Sequence, residues 1–261
     1  MKSRHHRFFT YFTAFGLLTA CSIGWGDSIK GSGNVTTESR DVSDFYIVAF
    51  STLGQVKIST TGQETLSIKA EDNLLPHLKS RIDDGVLYLE TENNVNIKPT
   101  KPIEFTLGVK ELIGLKLSGA GSIKADSMQG TDLSVRLSGK GSLQVSSMQG
   151  TNIATKLSGE GNINLAGIQG SDMSAKLSGV GSMTVAGQVD KLNLKLSGAG
   201  SYKGDGLQAR EAKVKNSGVG SAVVNVTDLL DAKLSGVGSV EYIGSPEVQK
   251  SVSGIGSIKQ R

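Results

Sequence analysis

A glycine-rich phrase, Ser-Gly-x-Gly-Ser, recurs along the C-terminal part of the chain and is the first candidate for chemistry. Glycine-rich loops can hold phosphate, bind calcium, or let the backbone turn sharply. The copies follow one another at intervals of 18 to 20 residues, and the third has Asn162 in its last position. The eight copies begin at Ser118, Ser138, Ser158, Ser178, Ser197, Ser217, Ser235 and Ser253.

The phrase lacks the side chains that phosphate and calcium loops need. SGKGS at 138–142 resembles part of a phosphate-binding loop, but the Gly-x4-Gly-Lys-Ser/Thr pattern is absent, and GDGLQA at 204–209 has no strand–helix–strand context. Calcium β-rolls carry an aspartate in a repeat of about nine residues, whereas this repeat has a period of about 20. The sequence therefore predicts no cofactor and no metal.

Carboxylates beside a second repeated turn are the remaining candidates for catalysis. Asp126, Asp132 and Asp172 recur near QG(T/S)(D/N) turns, and Asn152 lies between the last two. Aligned on one outer wall, they would offer the paired carboxylates of a polysaccharide-active enzyme. Asp and Asn also favour turns for conformational reasons alone. His77, the one histidine after the N-terminal segment, is interpreted as a surface or capping residue. We expect no enzyme and keep the polysaccharide-active enzyme as the alternative.

The elements that carry these residues are predicted to be strands, because apolar and polar residues alternate in every repeat. In residues 131–145, TDLSVRLSGKGSLQV, the apolar residues and both glycines share one parity. The glycines therefore face inward, and the residue between them faces outward. A single unit of about 20 residues cannot bury enough apolar surface to fold alone, so the units must stack.

These features predict an all-β fold, a right-handed parallel β-helix of about 8–10 rungs with a period of about 20 residues. A β-propeller would need about 40 residues per blade. We interpret the glycines as making room where an inward side chain would collide with the opposite wall. Worn copies of the phrase at 30–35 and 51–56 suggest further rungs. Residues 28–112 are expected to form an elaborated N-terminal β region, with a hairpin at 84–85, that caps the regular repeats at 113–259.

The middle residue of each phrase is predicted to point outward, and it becomes apolar toward the C-terminus. We interpret this apolar row as a contact surface for a partner or a second copy. The alternative is that the corner geometry turns these side chains inward. Lys140 and Glu160, in earlier copies, are expected to be neighbours across rungs. The predicted contact row consists of Val180, Ala199, Val219, Val237 and Ile255.

The N-terminal segment predicts export and a lipid anchor. Residues 1–7 are basic, residues 8–20 are uncharged and mostly apolar, and LLTAC resembles a lipobox that ends at Cys21. An ordinary secretory signal is the alternative. Because Ser22 rather than Asp follows the cysteine, we expect the outer membrane. The predicted division is a signal peptide at 1–20, a short linker at 21–27 and a single domain at 28–261.

Removing residues 1–20 leaves 25 basic and 24 acidic residues in the mature chain. This near balance, without an evident basic cluster, predicts no binding of nucleic acid.

Four sequence features together resemble one bacterial family. They are GSGNV at 31–35, NLLPHL at 73–78, IKPTKPIEF at 97–105 and the repeated LSGxGS. This combination is similar to the putative auto-transporter adhesin, head GIN domain family. The resemblance implies a right-handed parallel β-helix on Gram-negative envelope proteins. We therefore expect a non-enzymatic envelope lipoprotein with an adhesive, interaction or architectural role, held by its lipid, with a glycan or protein partner and with oligomers forming through the apolar row.

Overall fold

Strands dominate the protein and coil into a β-solenoid of about seven turns. The structure is a computed structural model and describes residues 27–261. The predicted all-β class and the parallel coil are confirmed. Among the described residues, no helix has the length and hydropathy needed to cross a membrane.

The N-terminal part is built from short strands and one 3-10 turn, Leu75–His77. The strands are β1 (Asp27–Lys30), β2 (Val35–Arg40), β3 (Ile47–Phe50), β4 (Leu53–Thr60), β5 (Thr65–Glu71), β6 (Leu78–Asp83), β7 (Val86–Thr91), β8 (Val95–Lys98), β9 (Glu104–Val109) and β10 (Gly114–Leu117).

Six long strands form the body of the solenoid, and three shorter ones follow. They are β11 (Ala120–Leu137), β12 (Lys140–Leu157), β13 (Glu160–Leu177), β14 (Val180–Leu196), β15 (Ala199–Asn216), β16 (Val219–Leu234), β17 (Val237–Ile243), β18 (Glu247–Val252) and β19 (Ile255–Gln260). β11, β12 and β13 run without interruption through their QG(T/S)(D/N) segments, so the predicted turn there is a bend within the strand.

Neighbouring turns stack in parallel and in register, so equivalent residues of the repeat lie beside one another. Gly121 pairs with Gly141, Leu137 with Leu157, and most of the strand follows the same offset of 20 residues. The inward positions hold one continuous core. In β12, for example, Leu143, Val145 and Met148 are buried. Each such side chain contributes about 1.5–3 kcal/mol, and the next turn covers its neighbours.

The number of turns is smaller than the predicted 8–10 rungs because eight phrases enclose only seven complete turns. The worn copy at 51–56 does form a corner, since Gly54 pairs with Gly121. The turn of the solenoid that begins at this corner is interrupted, because β5 to β9 are inserted between β4 and β10. The worn copy at 30–35 is no corner: Gly33 donates its backbone N–H to the carboxylate of Glu71 at 2.7 Å.

Most of the N-terminal part joins the same sheet and adds antiparallel strands to it, whereas β1 and β8 form a separate two-stranded parallel sheet. β3 pairs with β10 and β4 pairs with β11, both in parallel. β2, β5 and β9 form an antiparallel set, and β6 and β7 form the predicted hairpin, with Asp84 at φ 48° and Gly85 at φ 70°. Phe50 and Phe105 pack edge to face, with ring centroids 5.4 Å apart, and anchor this end of the core.

Candidate functional site: corners and outer walls of the solenoid

The backbone of each glycine corner lies directly against the corner of the preceding turn. Ser138 and Gly139 both donate their N–H groups to the carbonyl of Leu117, at 2.8 and 3.1 Å. Lys140 then donates to the carbonyl of Gly119 at 3.0 Å. Hydrogen bonding between turns therefore continues around the corner.

This close approach explains the glycines and corrects the predicted reason for them. A Cβ on Gly139 would lie 2.0 Å from the carbonyl oxygen of Gly119, and a Cβ on Gly141 would lie 1.8 Å from that of Gly121. The obstacle is the backbone of the neighbouring turn and not the opposite wall that the sequence pattern suggests. Gly141 also has φ +147°, which disfavours other residues.

The middle residues of the phrases form a straight exposed row, which we call the corner ridge. Their backbones pair in register from each turn to the next. Side chains in its apolar half are well exposed, with 57% of Val180, 60% of Val219, 46% of Val237 and 75% of Ile255 accessible. The outward orientation is confirmed, and the inward alternative is wrong. The corner ridge consists of Ala120, Lys140, Glu160, Val180, Ala199, Val219, Val237 and Ile255.

The charged half of the corner ridge is paired. Lys140 Nζ lies 3.1 Å from Glu160 Oε2, as predicted for neighbouring rungs. Such an exposed pair adds at most about 1 kcal/mol. The remaining residues of the corner ridge, from Val180 to Ile255, are all apolar. The ridge can therefore offer one narrow apolar contact strip.

Two rows of hydroxyls flank the corner ridge, one on each side. The first serine ladder is formed by the leading serines of the eight phrases, and all of them are exposed. The second serine ladder is formed by the last residues of the phrases, where Ser182 Oγ donates to Asn162 Oδ1 at 2.6 Å. These hydroxyls can donate and accept hydrogen bonds. The chain's one histidine after residue 6, His77, lies instead in the N-terminal part, where its Nδ1 is 2.9 Å from Glu92 Oε2. Within the described residues 27–261, no serine of the ladders has a histidine beside it to act as a base.

The candidate catalytic carboxylates are only partly brought together. Asp132, Asn152 and Asp172 do align in one row across three turns, and Asn152 Nδ2 donates to Asp132 Oδ1 at 2.8 Å. The two carboxylates are therefore separated by an amide and by two rungs, about 9.6 Å. Asp126 lies apart from them, in a groove with Gln144.

The same row continues with alternating charge into a shallow groove. Asp172 is followed by Lys191 and then by Glu211, and all three line this groove across the neighbouring strands. Alternating signs favour mutual pairing over a pair of carboxylates that share a proton. Within residues 27–261, no group of three or more His, Cys, Asp or Glu side chains is arranged to hold a metal ion.

The GDGLQA segment is a structural part of β15. A Cβ on Gly204 would lie 2.4 Å from the ring of Tyr202, so this glycine makes room for a large buried side chain. Burial raises the pKa of the Tyr202 hydroxyl far above its usual range. Three of its six residues, Gly204, Leu207 and Ala209, are buried in the core.

A second outer row was missed by sequence reasoning, and we call it the basic ladder. It occupies the position two residues before each leading serine, in seven consecutive turns. The signal was present in the repeat, which reads (K/R)-x-S-G-x-G-S when the earlier positions are included. The basic ladder consists of Lys116, Arg136, Lys156, Lys176, Lys195, Lys215 and Lys233.

The predicted lipidation residue, Cys21, and the predicted signal peptide lie outside the described residues.

Solved structures from Parabacteroides and Bacteroides species have the same fold. A putative lipid binding protein from Parabacteroides distasonis is 27% identical, with a TM-score of 0.80. A putative adhesin from Parabacteroides merdae is 21% identical, with a TM-score of 0.82. Each match covers 90% of this chain and 100% of the other. A putative adhesin from Bacteroides fragilis has 23% identity and a TM-score of 0.65, over 89% and 100% of the two chains.

No curated protein matches the chain. The family model described as "Putative auto-transporter adhesin, head GIN domain" matches it twice, over residues 44–171 and 134–246. Together these overlapping matches extend over most of the solenoid and over more than half of the chain. The chain therefore belongs to the putative auto-transporter adhesin, head GIN domain family.

Proposed function

We propose that the protein is a non-enzymatic contact module of the bacterial cell envelope, anchored by a lipid at Cys21 in the outer membrane, that mediates adhesion through the corner ridge. The observation that carries this proposal is the exposure of Val180, Val219, Val237 and Ile255 in one in-register strip. Apolar side chains aligned on a surface favour contact with a partner.

The residues around the apolar strip are better suited to binding a partner than to catalysis. Serine hydroxyls on both sides of the strip can hydrogen-bond a polar partner, as the rim of an interaction surface does. The row of carboxylates that would support the polysaccharide-active enzyme is interrupted by Asn152 and continues with Lys191, which pairs in register with Asp172. Family membership and the adhesin descriptions of the related structures point in the same direction.

The experiment compares the attachment of cells that carry different forms of the full chain to immobilised matrix proteins and glycans. We expect wild-type cells to attach more than cells with an empty vector, and the Val219→Lys/Val237→Lys variant to lose this gain. Two lysines would put charge into the apolar strip, while circular dichroism should show an unchanged fold because both side chains are exposed. Cys21→Ala should release the protein from the envelope and abolish attachment.

Lys140→Ala/Glu160→Ala is the matched control, since it changes two residues of the same ridge outside the apolar strip. It should attach like the wild type. Attachment equal to the empty vector for wild-type cells would reject the adhesion proposal. Full attachment by the double-lysine variant, or loss of its fold, would reject the ridge as the contact surface.

A further inference from the structure

The basic ladder is a regular line of charge along one outer wall. Each member pairs in register with the next, one per turn, and all seven side chains are exposed. With a rung spacing of about 4.8 Å, its six intervals extend over about 29 Å.

The charge of the basic ladder differs from that of other rows of the solenoid in how it is paired. Among residues 27–261, no member of the basic ladder forms a salt bridge. Elsewhere, successive turns pair opposite charges, as in Lys140–Glu160 at 3.1 Å and Lys259–Glu241 at 3.4 Å. Like charges directly opposite one another on neighbouring strands destabilise a sheet. The ladder therefore opposes folding, which points to a role in binding.

Comparison of the repeats within the chain indicates that the basic residues are not simply left over from duplication of the repeat. The corner ridge varies from Lys140 and Glu160 to Val180, so outward positions have diverged between turns. Even the inward residue after the ladder changes, from leucine to Asn216 in one turn. The ladder position stays basic in seven consecutive turns.

We propose that the basic ladder binds a linear acidic polysaccharide lengthwise, with about one negatively charged sugar per turn. The proposal rests on the proposed adhesive function and adds to the corner ridge a second contact surface with a named partner class. A sugar unit in an extended chain is about as long as one rung spacing. Six of the seven side chains are lysines, whose ammonium groups are compact point charges suited to spaced carboxylates or sulfates.

The row beside the ladder fits the remaining groups of such a partner. The first serine ladder lies two residues away along each strand, and its hydroxyls can bond sugar hydroxyls. At the C-terminal end, Lys215, Ser217, Lys233 and Ser235 line one shallow groove. A chain lying in this groove would meet ammonium groups on one side and hydroxyls on the other.

The narrow width of the ladder argues against a membrane or a nucleic acid. On the same strands, four residues before the ladder, stand Asp132, Asp172 and Glu211. An anionic bilayer laid flat on this wall would meet those carboxylates, whereas a single chain would not. Platforms for single-stranded nucleic acid add aromatic stacking. The rows that flank the ladder over these seven turns contain no aromatic residue.

The test uses the full chain, purified from envelopes in detergent, and immobilised polymannuronate, which carries one carboxylate per sugar. We expect wild-type protein to bind polymannuronate and not neutral dextran, with binding that weakens as salt rises. Lys156→Gln/Lys176→Gln/Lys195→Gln should bind at least about tenfold more weakly, since three of seven charge contacts are lost. The salt slope should fall by roughly three-sevenths.

The matched control is Lys57→Gln/Lys124→Gln/Lys203→Gln, which removes the same charge from exposed lysines on another row. It should bind within about twofold of the wild type, because any uniform effect of net charge is small beside direct contacts. Equal losses in the two triple variants, or equal binding of dextran, would overturn the proposal. Because removing like charges from the ladder relieves repulsion, the ladder variant should remain folded in circular dichroism.

Two further probes test whether the basic ladder binds a membrane or a nucleic acid in place of a polysaccharide. Phosphatidylglycerol vesicles or single-stranded DNA that bind more tightly than polymannuronate, with the same dependence on the ladder, would overturn the polysaccharide assignment. Polysaccharide binding without cell attachment would reject the adhesion proposal alone. Attachment without polysaccharide binding would reject the ladder proposal alone.

Discussion

At each corner, a glycine packs against the carbonyl oxygen of the glycine one turn earlier. For Gly161, an added Cβ would lie 1.8 Å from the oxygen of Gly141, and φ is +144°. Both the clash and the backbone conformation oppose a larger residue. We expect Gly161→Ala to lower the free energy of unfolding by about 3 kcal/mol or more, measured by urea denaturation.

Two controls separate these causes. Gly62 has φ +76° but open space around its Cβ position, so Gly62→Ala should lose only about 1–2 kcal/mol. Glu160→Ala changes the adjacent exposed residue. Apart from the loss of its weak ion pair with Lys140, it should change the free energy of unfolding by no more than about 0.5 kcal/mol. A Gly161→Ala variant as stable as Gly62→Ala would show that the neighbouring carbonyl is no obstacle.

At this scale, parity in the sequence was enough to tell inward from outward positions. The alternation around Gly139 and Gly141 placed both glycines inward and Lys140 outward, which the structure confirms. Parity did not identify the atom that a Cβ would clash with, because this carbonyl oxygen belongs to a residue 20 positions earlier in the chain. Only the distance between turns reveals the contact.

At the scale of elements, one buried carboxylate holds the N-terminal cap together. Glu71, at the end of β5, accepts hydrogen bonds from the N–H groups of Gly33, Thr100 and Lys101, at 2.7, 2.8 and 3.2 Å, and from the Thr100 hydroxyl. It thus ties the loop at 31–34 to the loop at 99–102. Burial alone would raise the pKa of Glu71, but these donors outweigh it and lower the pKa from 4.5 to about 2.

This shift predicts a pH-dependent contribution of Glu71 to stability. Because its pKa is lower in the folded protein, the contribution is complete above about pH 4.5 and is lost as the pH falls toward 2. Glu71→Gln replaces an acceptor by a donor facing three N–H groups and should destabilise the protein at pH 7. Urea denaturation across this pH range should show the difference from the wild type shrinking between pH 4.5 and 2.

Glu104→Gln provides the comparison, since Glu104 is an exposed carboxylate with a long ion pair of 3.6 Å to Lys69. Its difference from the wild type should be small at every pH. A Glu71→Gln difference that persists undiminished at pH 2 would contradict the proposed role of the carboxylate.

Strand-level features differ in how well they can be read from the sequence. The Asp84-Gly85 hairpin carries a local signal and was predicted. The GSGN segment was misread as a corner because its partner, Glu71, is distant in sequence. The basic ladder depends only on in-register stacking, and aligning the repeats one position further would have revealed it.

Across the whole molecule, the two ends of the solenoid are finished differently. At the N-terminal end, β3, β4 and β9 cover the first turns and bury Phe50 and Phe105. At the C-terminal end, five of the six residues in β18 and five of six in β19 are exposed. In a stack whose turns contact only their neighbours, local stability depends on what covers each turn.

We therefore expect a gradient of hydrogen exchange along the solenoid, with β12–β14 protected most and β18–β19 least. Opening of the last turn breaks contacts on one side only, so its free energy should lie well below that of global unfolding, which is about 5–15 kcal/mol for a typical domain. Mass spectrometry of amide exchange at neutral pH, read peptide by peptide, measures this gradient. β10 and β11 should stay protected because the cap covers them, which makes them the internal control. Equal protection of β19 and β12 would mean that the solenoid opens as one cooperative unit, and the quasi-linear description of its stability would then be wrong.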